Sequence, residues 1–276
     1  MAADPVRSTD ISICNAAFAG LGINPITDFT DSSEQAKLAK ATYAMHLEQL
    51  MTAHPWNFAM KHATLDMAIK PTQSWRWDYA FSLPSDQLRV WEVQDQSANV
   101  EDEWTVSDSL LLTNLYEQKE VKVTSVNTST ETLTSAAHGF SNNDVVVINN
   151  ISGLTDDTVL YYIISSATDT FQLSTSSGGS AANLTGAISG TATVTRRTLD
   201  IRYVQKETDP TKWSPQFATA LVAKLEAEWA EPLVKATTLG DRKDFRFNQK
   251  LAQSRSLDAQ EGTPERQDVS TWLNER

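Results

Sequence analysis

The stretch HPWNFAM, residues 54–60, decides how this chain is read. Before it, DSSEQAKLAKATYAMHLEQLMTAH places Ala36, Ala39, Tyr43, Leu47 and Leu50 on one helical stripe, with Ser32 or Ser33 as the cap. The small residues of that stripe allow a second helix to approach closely. A residue preceding proline is pushed out of the helical region, so the helix must stop before Pro55. HPWNF is therefore a structural corner between helix and strand. His54 and Pro55 form the bend, and Trp56 and Phe58 anchor it in the core. For His54 we expect capping or packing, because no serine, cysteine or carboxylate stands at a catalytic motif spacing from it.

Upstream, STDISICNAAFAGLGINPI opens on the capping residues Ser8, Thr9 and Asp10. Ile11, Cys14, Phe18 and Leu21 recur at helical spacing, and Gly20, Gly22 and Pro25 stop the helix. Downstream, Trp75, Trp77, Tyr79 and Phe81 alternate with polar neighbours, the period of a half-buried strand. Leu88, Val90 and Val93 start another strand, and EWTVSDSLLLTN reads as a hairpin turning near Ser107 and Asp108. This aromatic stripe is expected to be core.

The composition then changes. Residues 121–195 contain no Trp, Pro, Arg, Met or Cys, so all eight tryptophans and nine prolines lie outside them. Short β-type runs (EVKVTSV, ETLTSA, DVVVINNI, LYYIISSA, TFQLSTS, TATVT) are separated by turn signals such as HGFSNND and SSGGS. The flanks LLLTNLYEQ and RRTLDIRYVQ read as strands that would pair if the stretch between them were removed. That places a β-module at a hairpin tip, where insertions disturb few buried contacts. The expected class is α+β. A helical bundle with a β-hairpin or small antiparallel sheet spans residues 1–119 and 196–276, and a small all-β barrel or sandwich is inserted at 120–195.

After the insert, Asp209 and Pro210 signal a start, and Pro215 suits a first turn. Phe217, Leu221, Leu225 and Trp229 form an apolar face, and Pro232 ends or kinks the helix. A last helix over LGDRKDFRFNQKLAQSRSLDAQ is crowded by Arg242, Lys243, Arg246, Lys250 and Arg255. These form a solvated face or a contact for an acidic partner. The polar tail EGTPERQDVSTWLNER carries Trp272 and Leu273, an aromatic-aliphatic pair suited to docking.

The 276 residues carry 23 Lys and Arg against 35 Asp and Glu, a formal charge of -12. That balance disfavours free binding to nucleic acid, since phosphate contacts need clustered cations. Cys14 is the only cysteine, which excludes an intrachain disulfide and suits a buried thiol on a helix. No run of about 18 apolar residues suggests a membrane helix, and MAADPVRSTD lacks the apolar centre of a signal peptide. A reducing cytoplasm is the expected place of synthesis. His46, His62 and His138 are scattered and make no metal pattern. Asp144, Asp156 and Asp157 lack the spacing of an EF-hand calcium loop. Glu101, Asp102 and Glu103 read as a solvated turn. No phosphate-loop, GxGxxG, GxSxG or HExxH pattern occurs, so neither a cofactor, a bound metal nor an enzyme is expected.

Three stretches carry a resemblance: ICNAAFAGLGINPITDFTDSSEQAKLAKATYAMHLEQLMTAHPWNFA, WRWDYAFSLPSDQLRVWEV and ETDPTKWSPQFATALVAKLEAEWAEPL, with the closing LDAQEGTPERQDVSTWLNER. The chain outside the insert resembles the head-to-tail adaptors of short-tailed bacteriophages, the tail tubular protein A family. The insert resembles FCCH-like β-modules of other phage structural proteins and departs from the shorter family members.

The resemblance implies a virion connector protein assembled in the host cytoplasm. It implies a homo-oligomeric ring, dodecameric in that family, under the portal protein and above the tail nozzle, tubular protein B. Double-stranded DNA would pass through the lumen without sequence-specific binding, and no membrane is involved. An acidic lumen would keep that DNA mobile. Phe245, Phe247, Trp272 and Leu273 are the portal-docking candidates, and the β-module would face tail fibres, capsid or a neighbouring subunit. A rival reading is a carbohydrate- or surface-binding tail component, with Tyr161, Tyr162 and Phe171 of the β-module as stacking surfaces. A glycan hydrolase with paired carboxylates is a second rival.

Overall fold

The computed structural model describes residues 8–69, 76–94, 104–156, 159–186, 188 and 190–261. Among them the chain is α+β, with four α-helices and a twelve-stranded antiparallel sheet.

Helix α1 (Asp10–Leu21) opens on a reciprocal cap. Ser12 N donates to Thr9 Oγ1 at 3.1 Å, and Thr9 N donates to Ser12 Oγ at 3.0 Å. It ends at Gly22, whose φ of 74° is the left-handed region that glycine adopts without strain. Helix α2 (Glu34–Thr52) is capped by Ser33, and the five residues of the expected stripe are all buried. A 3-10 turn (Pro210–Lys212), capped by Asp209, leads to α3 (Pro215–Val234) with Ser214 as cap. Pro232 lies in the last turn of α3, and the helix closes at Lys235 in the left-handed conformation. Helix α4 (Thr237–Gln260) follows at once.

The strands are β1 (Met60–Ala68), β2 (Tyr79–Ser82), β3 (Gln87–Gln94), β4 (Trp104–Ser107), β5 (Leu110–Thr113), β6 (Glu117–Lys122), β7 (Ser125–Asn127), β8 (Thr132–Thr134), β9 (Val145–Asn149), β10 (Tyr161–Ile164), β11 (Thr170–Ser174) and β12 (Thr193–Gln205). Their order is β4-β5-β2-β1-β12-β9-β10-β11-β8-β7, and β3 and β6 also pair with β12.

Three features differ from the sequence expectation. The strand expected from Trp75 starts only at Tyr79; Trp77 precedes it and packs with Ala80 and Leu112, while Trp75 lies outside the described residues. Ala80 and Phe81 are buried in succession, so β2 is covered on both faces and does not alternate. The LLLT run pairs with β4 and β2 instead of the returning flank. Segment β6 takes that place, from Lys122 opposite Thr193 to Glu117 opposite Thr198.

The chain divides into two compact units. One holds Met1–Lys61, Asp86–Arg89 and Tyr203–Arg276, and the other holds His62–Ser85 and Val90–Arg202. The 120–195 segment lies wholly inside the second unit, together with β2, β4 and β5. The first unit is built on an aromatic core that includes Phe18, Trp56, Trp213, Phe217 and Trp229. Each of its three indole N–H groups is satisfied: Trp56 by Leu50 O at 2.9 Å, Trp213 by Glu207 O at 3.0 Å and Trp229 by Thr42 Oγ1 at 3.0 Å. The β-module has a core of its own, which includes Leu133, Phe140, Ile148, Ile163, Phe171 and Val194.

Candidate functional site

Helix α4 is strongly polar, and its buried residues are a lysine, a serine and an aspartate: Lys243, Ser254 and Asp258. Partly buried Phe247 and Leu251 complete that stripe. These positions recur every three or four residues and so share one face.

Each polar member has a specific partner. Lys243, 8% exposed, donates from Nζ to Gly20 O at 2.8 Å and to Glu226 Oε2 at 2.7 Å. Ser254 Oγ donates to Gln216 O at 3.0 Å. Asp258, 3% exposed, meets the HPWNF corner. Its carboxylate accepts from Asn57 N at 3.2 Å and lies 3.2 Å from His54 Nε2. Its backbone O accepts from Asn57 Nδ2 at 2.6 Å.

The rest of the corner is aromatic packing. Trp56 and Phe58 meet Phe217 edge to face at 5.1 and 4.9 Å, and Trp213 meets it at 5.3 Å. Pro55 ends the α2 segment, whose closing carbonyl at Ala53 accepts from Arg255 at 3.2 Å. His54 thus packs edge-on to Trp56 at 4.9 Å, with its Nε2 beside the Asp258 carboxylate.

The outward face of α4 carries Phe245, 65% exposed, with Arg242 and Arg246 exposed beside it. Phe247 turns the other way, because two residues rotate a helix by about 200°. It packs against the aromatic core with the Lys224 ammonium 5.5 Å from its ring. The expected five-cation face is therefore smaller than its sequence count. Lys243 and Arg255 are drawn inward by their partners, and Lys250 is half-buried. Phe245 alone of the two phenylalanines is presented outward; Trp272 and Leu273 lie outside the described residues.

Other reactive groups are dispersed. Burial pushes the Cys14 thiol up to about 12, so it stays protonated. The Tyr43 hydroxyl donates to Asp10 Oδ1 at 2.9 Å, and burial raises both groups. His46 is buried on α2, and desolvation lowers its pKa. In the second unit His62 is exposed. His138 Nδ1 accepts from Phe140 N at 3.0 Å with the ring edge-on to Phe171. Asp144 accepts from Ser141 N at 2.8 Å and pairs with Arg196 at 3.2 Å. Asp157 and the Glu101–Glu103 turn lie outside the described residues. No group of three His, Cys, Asp or Glu fit to hold a metal occurs among the described residues. Of the three aromatics proposed for stacking, Tyr161 and Phe171 are buried and Tyr162 is half-buried.

Glu226 and Asp258 escaped the sequence reading, and Gly20, expected to help stop the first helix, lies inside α1, which ends at Gly22. The one available signal was Asp258 falling in step with Lys243 and Ser254, a polar stripe where an apolar one is expected. What α4 offers chemically is a surface: an exposed ring whose neighbours Asp241, Arg242, Asp244 and Arg246 are all exposed, suited to an apolar contact with a mixed-charge border. No family model matches the chain, and no curated protein matches it at a significant level.

Proposed function

We propose that the chain is a structural subunit of a phage head-to-tail connector. It assembles as a ring, dodecameric as in the family it resembles, beneath the portal and above the tail nozzle, with DNA passing through the lumen. In this reading the helices act as a bundle-like wedge, and the strands within 120–195 act as an inserted barrel or sandwich. Repeated wedges with head-to-tail contacts close into a ring when the rotation per subunit closes. The observation that carries the reading is Phe245, 65% exposed between Arg242 and Arg246 on a helix whose opposite face is hydrogen-bonded to its neighbours. Aromatic and arginine side chains are the residues that most often anchor interfaces. A pre-ordered helix loses little freedom on docking.

The test is electron microscopy of the chain mixed with its portal. Rings stacked end-on at the narrow end of the portal are expected. Phe245→Asp should weaken that stacking by tenfold or more, roughly the 1.4 kcal/mol or greater loss of a truncated anchor. A chain that stays monomeric and leaves the portal bare would refute the reading.

A further inference from the structure

A cleft of about 640 Å³ opens in the second unit, beside β1 and β10. That volume lies within the roughly 300–1,000 Å³ of small-molecule sites. Its floor includes buried Val145 and partly buried Leu160. Its polar lining includes Asp66, Asn143, Tyr162 and Thr175.

The hydrogen-bonding capacity of that lining is largely unspent. Asp66 Oδ1 accepts from Arg196 at 2.9 Å, and its other oxygen has no partner among the described residues. Asn143 Oδ1 accepts from Ser177 Oγ at 2.9 Å, and its amide NH2 donates to none of the described residues. The Tyr162 and Thr175 hydroxyls have no partner among the described residues. Half-buried Tyr162 adds an aromatic ring to the wall.

We infer that this cleft binds a neutral saccharide unit. The ligand class follows from what the lining favours and disfavours. No Lys or Arg is among the described residues that line the cleft, and Asp66 would repel an anion. A cation gains little, because the one carboxylate is already paired with Arg196, which also pairs with Asp144 at 3.2 Å. A wholly apolar ligand would cover the amide, two hydroxyls and a carboxylate oxygen without pairing them, which disfavours it. A pyranose matches both halves of the lining. Its hydroxyls donate and accept against Asp66, Asn143 and Thr175, while its C–H face lies on Tyr162 and the aliphatic floor. This assignment stands apart from ring assembly and requires no portal.

The test uses the full chain with methyl glycosides of glucose, galactose, mannose and N-acetylglucosamine, and with the matching tetrasaccharides. Saturation-transfer NMR detects contact, and calorimetry gives affinity. At least one sugar of the panel should bind the wild-type chain. Tyr162→Ala should weaken that binding tenfold or more. Asn143→Gly, which keeps the left-handed backbone at φ 71°, should weaken it about five-fold, as expected for one lost hydrogen bond. Tyr162→Phe, which retains the ring, should lose less than Tyr162→Ala, and with Asn143→Gly it decides the matter should the alanine variant fail to fold. Silence of the wild-type chain across the panel overturns the inference, as does wild-type affinity in the folded variants. A glycan-binding chain that forms no ring would refute the connector reading alone.

Discussion

Lys243 is the residue whose replacement tests the packing of α4 most directly. The residue is 8% exposed, and its ammonium lies 2.7 Å from Glu226 Oε2 and donates to Gly20 O at 2.8 Å. Lys243→Met keeps the aliphatic stem but leaves the Glu226 carboxylate facing α4 without its cation. Breaking a buried pair in this way costs about 3–5 kcal/mol; because the Glu226 side chain keeps 15% exposure, the expected loss is roughly 2–3 kcal/mol. At a urea slope of about 2 kcal/mol per molar, the midpoint falls by roughly 1 M. Glu226→Met should cost a similar amount, and the double variant about as little as one single variant or less. A buried pair replaced by apolar groups of similar volume removes both desolvation penalties together.

Gly20 adds a third arm. A Cβ there would lie 2.6 Å from Glu226 Cδ, so Gly20→Ala must push the carboxylate away from Lys243. Helix propensity alone predicts a gain of about 1 kcal/mol for that change inside α1. The structure predicts a net loss instead, turning into the propensity gain in a Glu226→Ala background. The assay is urea unfolding followed by tryptophan fluorescence, with Trp56, Trp213 and Trp229 as reporters in the helical core. Additive single and double variants, or a Lys243→Met loss under about 0.5 kcal/mol, would refute the coupling.

Two further outcomes follow from the buried titratable groups. Desolvation lowers the pKa of His46 below its ordinary value of about 6.5, so the folded state binds fewer protons than the unfolded chain in the window below that value. The neutral-imidazole contribution is fully present above about pH 6.5 and declines as pH falls toward the folded value. The urea midpoint should drop between pH 7.5 and 5.5, and His46→Gln should flatten that part of the slope. Cys14, held near 12, should resist a maleimide or iodoacetamide in the native chain at pH 8 and react once urea unfolds it; native-state labelling at the rate of a free thiol would contradict its burial.

Much of the helical half was legible because its signals are local. Thr9, Ser33, Asp209 and Ser214 are capping residues by type, and each caps the turn that follows it. The α2 and α3 stripes repeat at the helical period, and Pro55 fixes where α2 must stop. The β-type runs were legible too, since each one holds a strand. Pairing was less so: LLLT and EQKEVK are both able to lie beside RRTLDIRYVQ, and only long-range register separates them. The face of α4 was misread for another reason. Counting cations along a helix ignores which of them point inward, and Lys243 points inward because Glu226 and the bare backbone of Gly20 receive it.

That misreading bears on how the outer face works. An amphipathic helix held by leucines can slide and repack, since apolar contacts are non-directional. Helix α4 is fixed by directional bonds at Lys243, Ser254 and Asp258. The first and last of these lie roughly 22 Å apart along the axis at 1.5 Å per residue. Both the register and the rotation of the helix are thereby set, which points Phe245 outward and Phe247 inward. A surface that is oriented before it meets its partner loses less entropy on binding. The buried polar stripe on one side of α4 and the exposed ring on the other are thus two consequences of one arrangement. In the proposed docking to the portal through Phe245, loosening the Lys243 or Asp258 contact should weaken binding by freeing the helix that carries the ring.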